Sequence, residues 1–284
     1  MREPKQIPVD ELKETARRLR VDIVEMLARS GSGHPGGSLS ALDIVLTLYS
    51  GEMRYDPAEP RWEGRDRFVL SKGHGVPALY SVMAERGFFP KEELSTLREL
   101  GSPLQGHPAN ALLPGIEAST GSLGQGLSVA QGIALAGKLQ GKGGEPAWRV
   151  YALCGDGEIQ EGQIWEVAMS APKLGVSNLT AFVDWNKAQI DGLVADVMPI
   201  TPIREKWEAF GWHVLEIDGH DFAQIRGALD EARAEKERPT VVIAETVKGN
   251  GVSFFESDIV GWHGKTPTRE EAERAIQELN GGPR

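Results

Sequence analysis

The hydrophobic pattern of the first half of the chain predicts helices. Between Asp10 and Ala28 apolar residues recur at helical spacing, at Leu12, Ala16, Leu19, Ile23, Met26 and Leu27. Asp10 is placed to cap this helix, and the Ser/Gly run 30–33 is placed to end it. Further helices are predicted over 40–49, 77–86 and 123–139. The segment 40–49 is apolar on most sides, so it is expected to lie inside the core.

Beyond Trp148 the pattern changes to short apolar runs that alternate with helical segments. The runs are RVYALC, LTAFVDW, WHVLEID and TVVIAET, and helices are predicted near 161–173, 202–210, 222–237 and 268–280. This alternation predicts an α/β fold with a doubly wound, mainly parallel sheet and helices on both faces. Ligands of such sheets bind beyond the carboxyl ends of the strands, so the chemistry is expected after Cys154 and after Asp184.

Composition narrows the function classes. The 284 residues are 40% hydrophobic and 25% charged, which is typical of a globular protein with a core. Asp+Glu 41 exceed Lys+Arg 31, a net charge of −10, so neither nucleic acid nor an anionic membrane is an expected partner. The apolar runs are shorter than the ~20 residues of a membrane span, and no apolar signal region is visible, so a cytoplasmic location is expected. A single cysteine, Cys154, excludes internal disulfides and is expected to be a small buried apolar residue.

Two polar segments follow successive predicted strands. The first strand runs into Gly155-Asp156-Gly157, the second ends before Asn186, and 28 residues separate Gly157 from Asn186. A carboxylate and an amide oxygen are hard donors that Mg²⁺ or Ca²⁺ takes together with phosphate oxygens. Gly157 lets the backbone approach a phosphate, and the start of the next helix supplies free N–H groups. The turn alone is unspecific, but the β-α-β frame favours a metal and phosphate site, with Asp156 expected in a surface loop that contributes little to the core.

The segment GDGEIQEGQIWEVAMSAPKLGVSNLTAFVDWNKAQIDG resembles the thiamine-diphosphate motif of transketolases. Other stretches agree with the family in order: SGHPGGSLSALDIVLTLY, DRFVLSKGHGVPALYSVMAERG, LQGHP, STGSLGQGLSVAQGIALA and GVSFFESDIVGWHG. The resemblance covers essentially the whole chain. It implies the diphosphate-binding domain of the thiamine-diphosphate-binding fold, one domain over 1–284.

The resemblance also implies the cofactor ligands. Asp156 and Asn186 would bind the metal through their side chains and Ala188 through its backbone carbonyl, the metal being Mg²⁺ with Ca²⁺ or Mn²⁺ as substitutes. The residues expected to contact thiamine diphosphate are His74, Gly121, Leu123, Gly157, Asn186, Ile190 and His263.

Four histidines match the family histidines around the diphosphate and the donor sugar. His34, His74 and His107 lie in Gly/Pro loops, where an imidazole can bind anionic oxygens or move protons near pH 7. His263 lies in a segment that matches more loosely. The resemblance implies catalytic roles for His34, His107 and His263, whereas no role is assigned to the remaining two histidines.

Other candidates have two interpretations each. Glu161 and Glu166 resemble the acidic pair at the family's subunit interface, but an acidic first turn stabilised by the helix dipole explains Glu161 nearly as well. Gly121, Gly124 and Gly126 suit either a phosphate-binding loop or close packing of the helix that they open.

The resemblance implies that part of the enzyme is on another polypeptide. A complete transketolase is more than twice as long, and its pyrimidine-binding domain carries the glutamate that activates the cofactor. No acid of this chain occupies that motif. The expected protein is therefore the N-terminal subunit of a split transketolase, in an α2β2 assembly with a separate subunit that carries the pyrimidine-binding and C-terminal domains.

The expected reaction transfers a two-carbon ketol unit from a ketose phosphate to an aldose phosphate. Three alternatives stay open: a transketolase-like enzyme for an unusual ketose, an α-type subunit of a 2-oxoacid dehydrogenase, and a non-catalytic phosphate-binding module. The histidine-containing blocks argue against the dehydrogenase but leave the ketose open.

Overall fold

A five-stranded parallel sheet forms the centre of the protein, whose computed structural model describes residues 4–282. Its strands are β1 (Arg67–Leu70), β2 (Val150–Gly155), β3 (Leu179–Trp185), β6 (His213–Asp218) and β7 (Thr240–Glu245), in the order β1-β2-β3-β7-β6. A two-stranded antiparallel hairpin, β4 (Ala188–Gln189) and β5 (Gly192–Leu193), follows β3. Every neighbouring pair in the main sheet is parallel, so the carboxyl ends of its strands share one edge.

Helices flank the sheet in chain order. They are α1 (Val9–Ser30), α2 (Pro35–Tyr49), α3 (Val76–Glu85), α4 (Gln125–Leu139), α5 (Gly162–Leu174), α6 (Val194–Val197), α7 (Ile203–Ala209), α8 (Phe222–Ala234), α9 (Ser253–Glu256) and α10 (Arg269–Leu279). Among the described residues, no helix is long and apolar enough to cross a membrane.

The sheet has a hydrophobic core on each face. Along β2, Tyr151 and Leu153 pack into a core shared with α1, α2, α3, α8 and α10. The alternating residues Ala152 and Cys154 pack into a second core shared with α4, α5 and α7. Side chains of a strand point alternately to the two faces, so both faces of β2 are covered. The predicted doubly wound sheet is confirmed, and Cys154 is buried as expected.

The start of α2 differs from the prediction and places a histidine at the sheet edge. The helix begins at Pro35, five residues earlier than predicted, because proline at the first turn needs no intrahelical N–H partner. His34 is therefore its N-cap residue. The prediction for α1 was wrong at its N-cap: Pro8 caps it and Asp10 lies in the first turn.

Two further details were not predicted. The edge strand β1 has only four residues, too few for an alternation signal. The helix predicted near 161–173 is confirmed as α5, but a 3₁₀ turn over Glu158–Gln160 that was not predicted separates it from the GDG turn. The free N–H groups of α5 therefore begin at Gly162 and not beside Gly157.

The glycines of α4 allow close packing. An added Cβ on Gly126 would lie 2.5 Å from Oγ of Ser71, and one on Gly137 would lie 2.6 Å from Nε1 of Trp148. Real Cβ atoms do not approach other atoms this closely, so both positions require glycine. This contact favours the packing interpretation for Gly126.

Candidate functional site

The predicted site residues meet at the carboxyl edge of the sheet. His74 follows β1, Asp156 follows β2 and Asn186 follows β3, while α2 begins beside them after His34. Because β1, β2 and β3 are neighbours in the sheet, their ends place these segments side by side. Crossovers in doubly wound sheets leave a crevice at this edge, which is where ligands bind.

Three of the four predicted histidines form a close cluster. The ring centroid of His34 lies 5.1 Å from that of His74 and 5.5 Å from that of His263, and the last two are 5.3 Å apart. His107 lies slightly outside the cluster, 6.4 Å from His34. The structure therefore brings together four histidines that are up to 229 positions apart in the sequence, the span from 34 to 263.

The cluster is electrically neutral at physiological pH. Burial, reinforced by the nearby Arg98 guanidinium, lowers the pKa of His34 from 6.5 to about 4. Burial and the Lys248 ammonium lower the pKa of His263 to about 3, and burial also lowers the pKa of His74 and that of His107. Nδ1 of His34 is buried and has no hydrogen-bond partner among the described residues. A neutral ring with an unpaired nitrogen is available to bind a hydroxyl group or an anionic oxygen.

Asp156 is a buried part of the site and not a surface-loop residue. The residue is only 2% exposed, and its carboxylate accepts a hydrogen bond of 2.8 Å from the backbone N–H of Gly157 and another from that of Lys187. Burial, with the neighbouring Asp184 carboxylate, raises its pKa from 3.8 to about 6. The expectation that Asp156 lies in a surface loop was therefore wrong, and two backbone donors depend on its carboxylate.

The other two predicted metal ligands lie on the next strand end. Asn186 is 5% exposed, and its Oδ1 accepts the N–H of Ala188 at 3.3 Å. The carbonyl oxygen of Ala188 accepts a hydrogen bond of 2.6 Å from Nζ of Lys248. Within 4–282 no group of three His, Cys, Asp or Glu side chains is arranged to hold a metal. Besides the Asp156 carboxylate, the oxygen donors here are the Asn186 amide and the Ala188 carbonyl, a set that Mg²⁺ takes together with phosphate oxygens.

Lys248 places a buried positive charge in the same region. The residue is 2% exposed, and its Nζ also lies 2.8 Å from Nδ1 of His263. Burial and the second ammonium at Lys72 lower its pKa from 10.5 to about 8. No described carboxylate forms a salt bridge with it, and a buried ammonium bonded only to neutral acceptors suits an anionic ligand.

A buried ion pair lies beneath the site. Nζ of Lys72 pairs with the carboxylate of Asp184 and also donates to the carbonyl oxygen of Gly37 at 2.9 Å. The Asp184 carboxylate accepts two further hydrogen bonds, from Oγ of Ser40 at 2.7 Å and from the hydroxyl of Thr246. Burial opposes ionisation of Asp184, but Lys72 and these donors lower its pKa below the usual value. This carboxylate therefore joins β1, β3, β7 and α2 to one another.

The glycine-rich loop before α4 is fixed by an acid that the sequence did not single out. The backbone N–H groups of Gly124 and Gly155 each donate to the carboxylate of Glu158 at 2.9 Å, and Oγ of Ser71 donates to it as well. At Gly121 the φ angle is +137°, and an added Cβ would lie 2.8 Å from Cδ2 of His107. Gly121 therefore contacts a predicted site histidine directly.

The remaining predicted residues are half-buried or exposed. Gly157 and Leu123 are half-buried, and a Cβ at Gly157 would lie 3.1 Å from that of Gln189. Ile190 is 64% exposed, so it does not belong to the core of this chain. Glu161 and Glu166 are exposed at the start of α5 and do not lie in the histidine cluster.

The sequence interpretation missed Lys72, Glu158, Asp184, Thr246 and Lys248 as residues of the site. For two of them the sequence does contain a local signal. Lys72 stands two positions before His74, and Lys248 stands two positions after the end of the strand-like run TVVIAET. The sequence pattern predicted ligands only beyond the ends of β2 and β3. In the structure, residues beyond the ends of β1 and β7 belong to the site as well.

Comparison with known proteins identifies the matching family. Residues 10–281 match the model of the family described as "Transketolase, thiamine diphosphate binding domain". This match agrees with the resemblance seen in the motifs.

Two similar proteins are transketolase subunits of about the same length as this chain. The 6-deoxy-6-sulfo-D-fructose transketolase subunit of Clostridium sp. (strain MSTE9) is 42% identical over 269 residues, which are 95% of this chain and 96% of that protein. One of the apulose-4-phosphate transketolase subunits of Phocaeicola vulgatus is 40% identical over 272 residues, 96% of this chain and 95% of that protein.

A solved structure matches the fold. The transketolase of Campylobacter jejuni superposes with a TM-score of 0.89 at 33% identity, covering 96% of this chain. The match covers 43% of that longer chain. These findings favour a transketolase over a 2-oxoacid dehydrogenase subunit and over a non-catalytic module, and they support thiamine diphosphate as the cofactor of this domain.

Proposed function

Because the chain belongs to the transketolase family, as its thiamine-diphosphate-binding domain, we propose that it is the N-terminal subunit of a split transketolase. With a separate partner it transfers a two-carbon ketol unit from a ketose phosphate to an aldose phosphate. The observation that carries this proposal is the meeting of His34, His74, His107 and His263 with the oxygen donors of Asp156 and Asn186 at one sheet edge.

The residues present suit the cofactor and its metal. Asp156, Asn186 and the carbonyl of Ala188 would hold Mg²⁺ through hard oxygen donors, a set that this metal takes together with phosphate oxygens. Lys248 would hold a diphosphate oxygen, since its buried ammonium has only neutral partners among the described residues, the Ala188 carbonyl and the His263 ring.

Two of the four histidines are proposed to bind the cofactor and the other two the donor sugar. His74 lies against Lys72 and Gly37 at the inner side of the cluster, and with His263 it is proposed to bind the cofactor. His34, whose Nδ1 is available, and His107, which lies outside the close cluster, are proposed to bind the hydroxyl groups of the donor sugar and to move protons there. When bound, thiamine diphosphate supplies the carbon nucleophile that this reaction needs.

The acid that activates the cofactor is proposed to come from the partner. Each buried acid described at the site is already engaged: Asp156 by two backbone N–H groups, Asp184 by Ser40, Lys72 and Thr246, and Glu158 by three donors. Asp156 is in addition assigned to the metal, so we propose that none of these three acids hydrogen-bonds the cofactor's aminopyrimidine. The partner, with the pyrimidine-binding and C-terminal domains, supplies that group.

The partner is proposed to cover exposed apolar residues of this chain. Ile190 (64% exposed) lies in the turn of the hairpin, other exposed apolar residues lie in the hairpin and α6, and Met169 (63% exposed) follows Glu166 by three positions on α5. Residues three apart share a helix face, so Glu166 and Met169 present one acidic and one apolar group together. We propose that Glu161, Glu166 and these exposed apolar residues form the interface of an α2β2 assembly in the cytoplasm.

The donor sugar is proposed to carry a terminal anion. The two relatives of matching length are named for a sulfonated fructose and for apulose 4-phosphate, so their names give two different anionic ketoses. For this chain we propose a ketose phosphate.

The reaction is tested with the chain and its partner purified separately and then mixed. The mixture, with Mg²⁺ and thiamine diphosphate, is offered a panel of ketose phosphates and a sulfonated ketose with one aldose phosphate acceptor, and mass spectrometry follows the product lengthened by two carbons. A product from a ketose phosphate supports the proposal. Transfer from the sulfonated donor alone would overturn the substrate class, and no transfer from any donor would overturn the ketol-transfer reaction.

A further inference from the structure

His220, to which the sequence pattern assigns no role, links helix α2 to the segment that carries Lys248. Its Nδ1 lies 2.8 Å from Oδ2 of Asp43, and the backbone N–H of Val247 donates to its Nε2 at 2.9 Å. Since Nε2 accepts a hydrogen bond, the proton of the neutral ring is on Nδ1 and is donated to Asp43. The imidazole is thus a bridge with one fixed tautomer.

The Asp43 end of the bridge is rigidly held. Asp43 is 1% exposed on α2, and Nη2 of Arg20 donates to its Oδ2 at 2.6 Å. The side-chain amide of Asn250 also lies 2.9 Å from Nδ1 of His220, and because that nitrogen carries the proton, the amide oxygen is the atom that faces it and accepts. All residues of α2 are buried, and the helix begins directly after His34. His220 therefore ties the position of Val247 to the same helix that positions a site histidine.

The Val247 end of the bridge fixes the backbone directly before Lys248. Lys248 follows Val247, and its buried ammonium reaches Ala188 and His263. On the other side of Lys248, the N–H of Gly249 donates to the carbonyl oxygen of Gly36 at 3.1 Å. The backbone on both sides of Lys248 is therefore tied to α2, through His220 before it and directly after it.

We propose that His220 is a positioning residue for diphosphate binding, which it serves by fixing the Val247 backbone and hence the ammonium of Lys248. The ring contacts of His220 are with Asp43, Val247 and Asn250, outside the cluster of histidines and the predicted metal ligands. The inference rests on the proposed function only in assigning the diphosphate as the partner of Lys248. A loose Val247 would spread the ammonium over several positions, which weakens binding of an anion without changing the reacting groups.

Two variants separate the two ends of the bridge. His220→Gln places an amide oxygen near the position of Nε2, where it accepts the Val247 N–H, and gives up the bond to Asp43. His220→Asn places an amide near the position of Nδ1, where it donates to Asp43, but it is too short to reach Val247. Each variant is compared with wild type by thermal unfolding, by hydrogen exchange of the peptide containing 247–252, and by thiamine-diphosphate affinity with Mg²⁺ in the assembled enzyme.

His220→Asn is expected to speed exchange in 247–252 and to weaken cofactor affinity by about tenfold, the effect of about one hydrogen bond, with kcat at saturating cofactor nearly unchanged. His220→Gln is expected to restore most of both properties. A greater loss in His220→Gln than in His220→Asn would show that the Asp43 contact matters instead and would overturn the proposal, as would equal loss in the two variants or faster exchange without weaker binding.

A measurement on the unaltered chain covers the case in which His220→Asn does not fold. Nitrogen NMR of the His220 ring is expected to show a protonated Nδ1 and an unprotonated Nε2. The opposite tautomer would remove the bond to Val247 and overturn the proposal. If wild type binds no thiamine diphosphate at all, the proposed function fails and with it the diphosphate role of Lys248, whereas the exchange comparison still decides whether His220 fixes Val247.

Discussion

Gly121 lies against the ring of His107, and an added Cβ would come within 2.8 Å of the ring's Cδ2. The φ angle of +137° at Gly121 also belongs to a region that side chains other than glycine rarely adopt. Gly121 is therefore required to position the His107 ring, in addition to allowing the backbone conformation of the loop.

Gly121→Ala is therefore expected to destabilise the chain by about 1–3 kcal/mol and to displace His107, raising the KM for the donor sugar. The matched control is Gly132→Ala inside α4, where an added Cβ meets nothing within 4 Å, so stability should be unchanged or improved. Denaturant unfolding and steady-state kinetics measure both variants. Equal behaviour of the two would contradict the placement of His107 by Gly121.

Removing the Asp156 carboxylate is expected to abolish Mg²⁺-dependent binding of thiamine diphosphate. Asp156→Ala should also lose about 1–3 kcal/mol of stability, because the N–H groups of Gly157 and Lys187 lose a buried acceptor. Asp156→Asn keeps an oxygen acceptor, so it should lose the cofactor with a smaller loss of stability. Calorimetric titration with cofactor, with and without Mg²⁺, checks this, and unchanged affinity in the Asn variant would exclude Asp156 as the metal ligand.

Alanine variants of His107 and His74 are expected to affect different steps, donor-sugar binding in the first case and cofactor binding in the second. His107→Ala is expected to lower kcat/KM for the donor roughly a hundredfold, the usual worth of an acid–base group, while cofactor affinity changes little. His74→Ala, on the inner side of the cluster, should instead weaken the cofactor. A His107→Ala variant that loses the cofactor but keeps its donor KM would reverse the two assignments.

Burial of the histidine cluster predicts a pH dependence of stability. The pKa of His34 falls from 6.5 to about 4 on folding, so between these values the unfolded chain binds more protons than the folded one. The free energy of unfolding should therefore fall as pH drops from about 6.5 towards about 4. Unfolding at several pH values, with His34→Gln as the control, is expected to show a smaller slope in the variant. A His34 ring that titrates at its ordinary pKa by NMR would contradict this prediction.

The part of the site that could be predicted depends on local sequence. Asp156 and Asn186 each follow an apolar strand closely, and His34, His74 and His107 stand in short glycine loops. All of these signals lie within a few residues of the group itself, as do those for the central strands and the longer helices.

The part that could not be predicted depends on distant partners. Asp184 looks like the last polar residue of a strand, and its role emerges only when Ser40, Lys72 and Thr246 converge on it. His220 likewise has no local pattern, because its partners are 177 and 27 positions away. Strand β1 has four residues, fewer than periodicity needs.

The central claim is that this chain becomes a transketolase only with a separate partner. The direct measurement titrates purified partner into a fixed amount of the chain, with Mg²⁺ and thiamine diphosphate, while ketol transfer and native mass are followed together. Since Glu158 and Asp184 are held by donors within the chain and Asp156 is assigned to the metal, activity should start at zero and saturate near one partner per chain, as an α2β2 species forms. Full ketol transfer by the chain alone would contradict the claim.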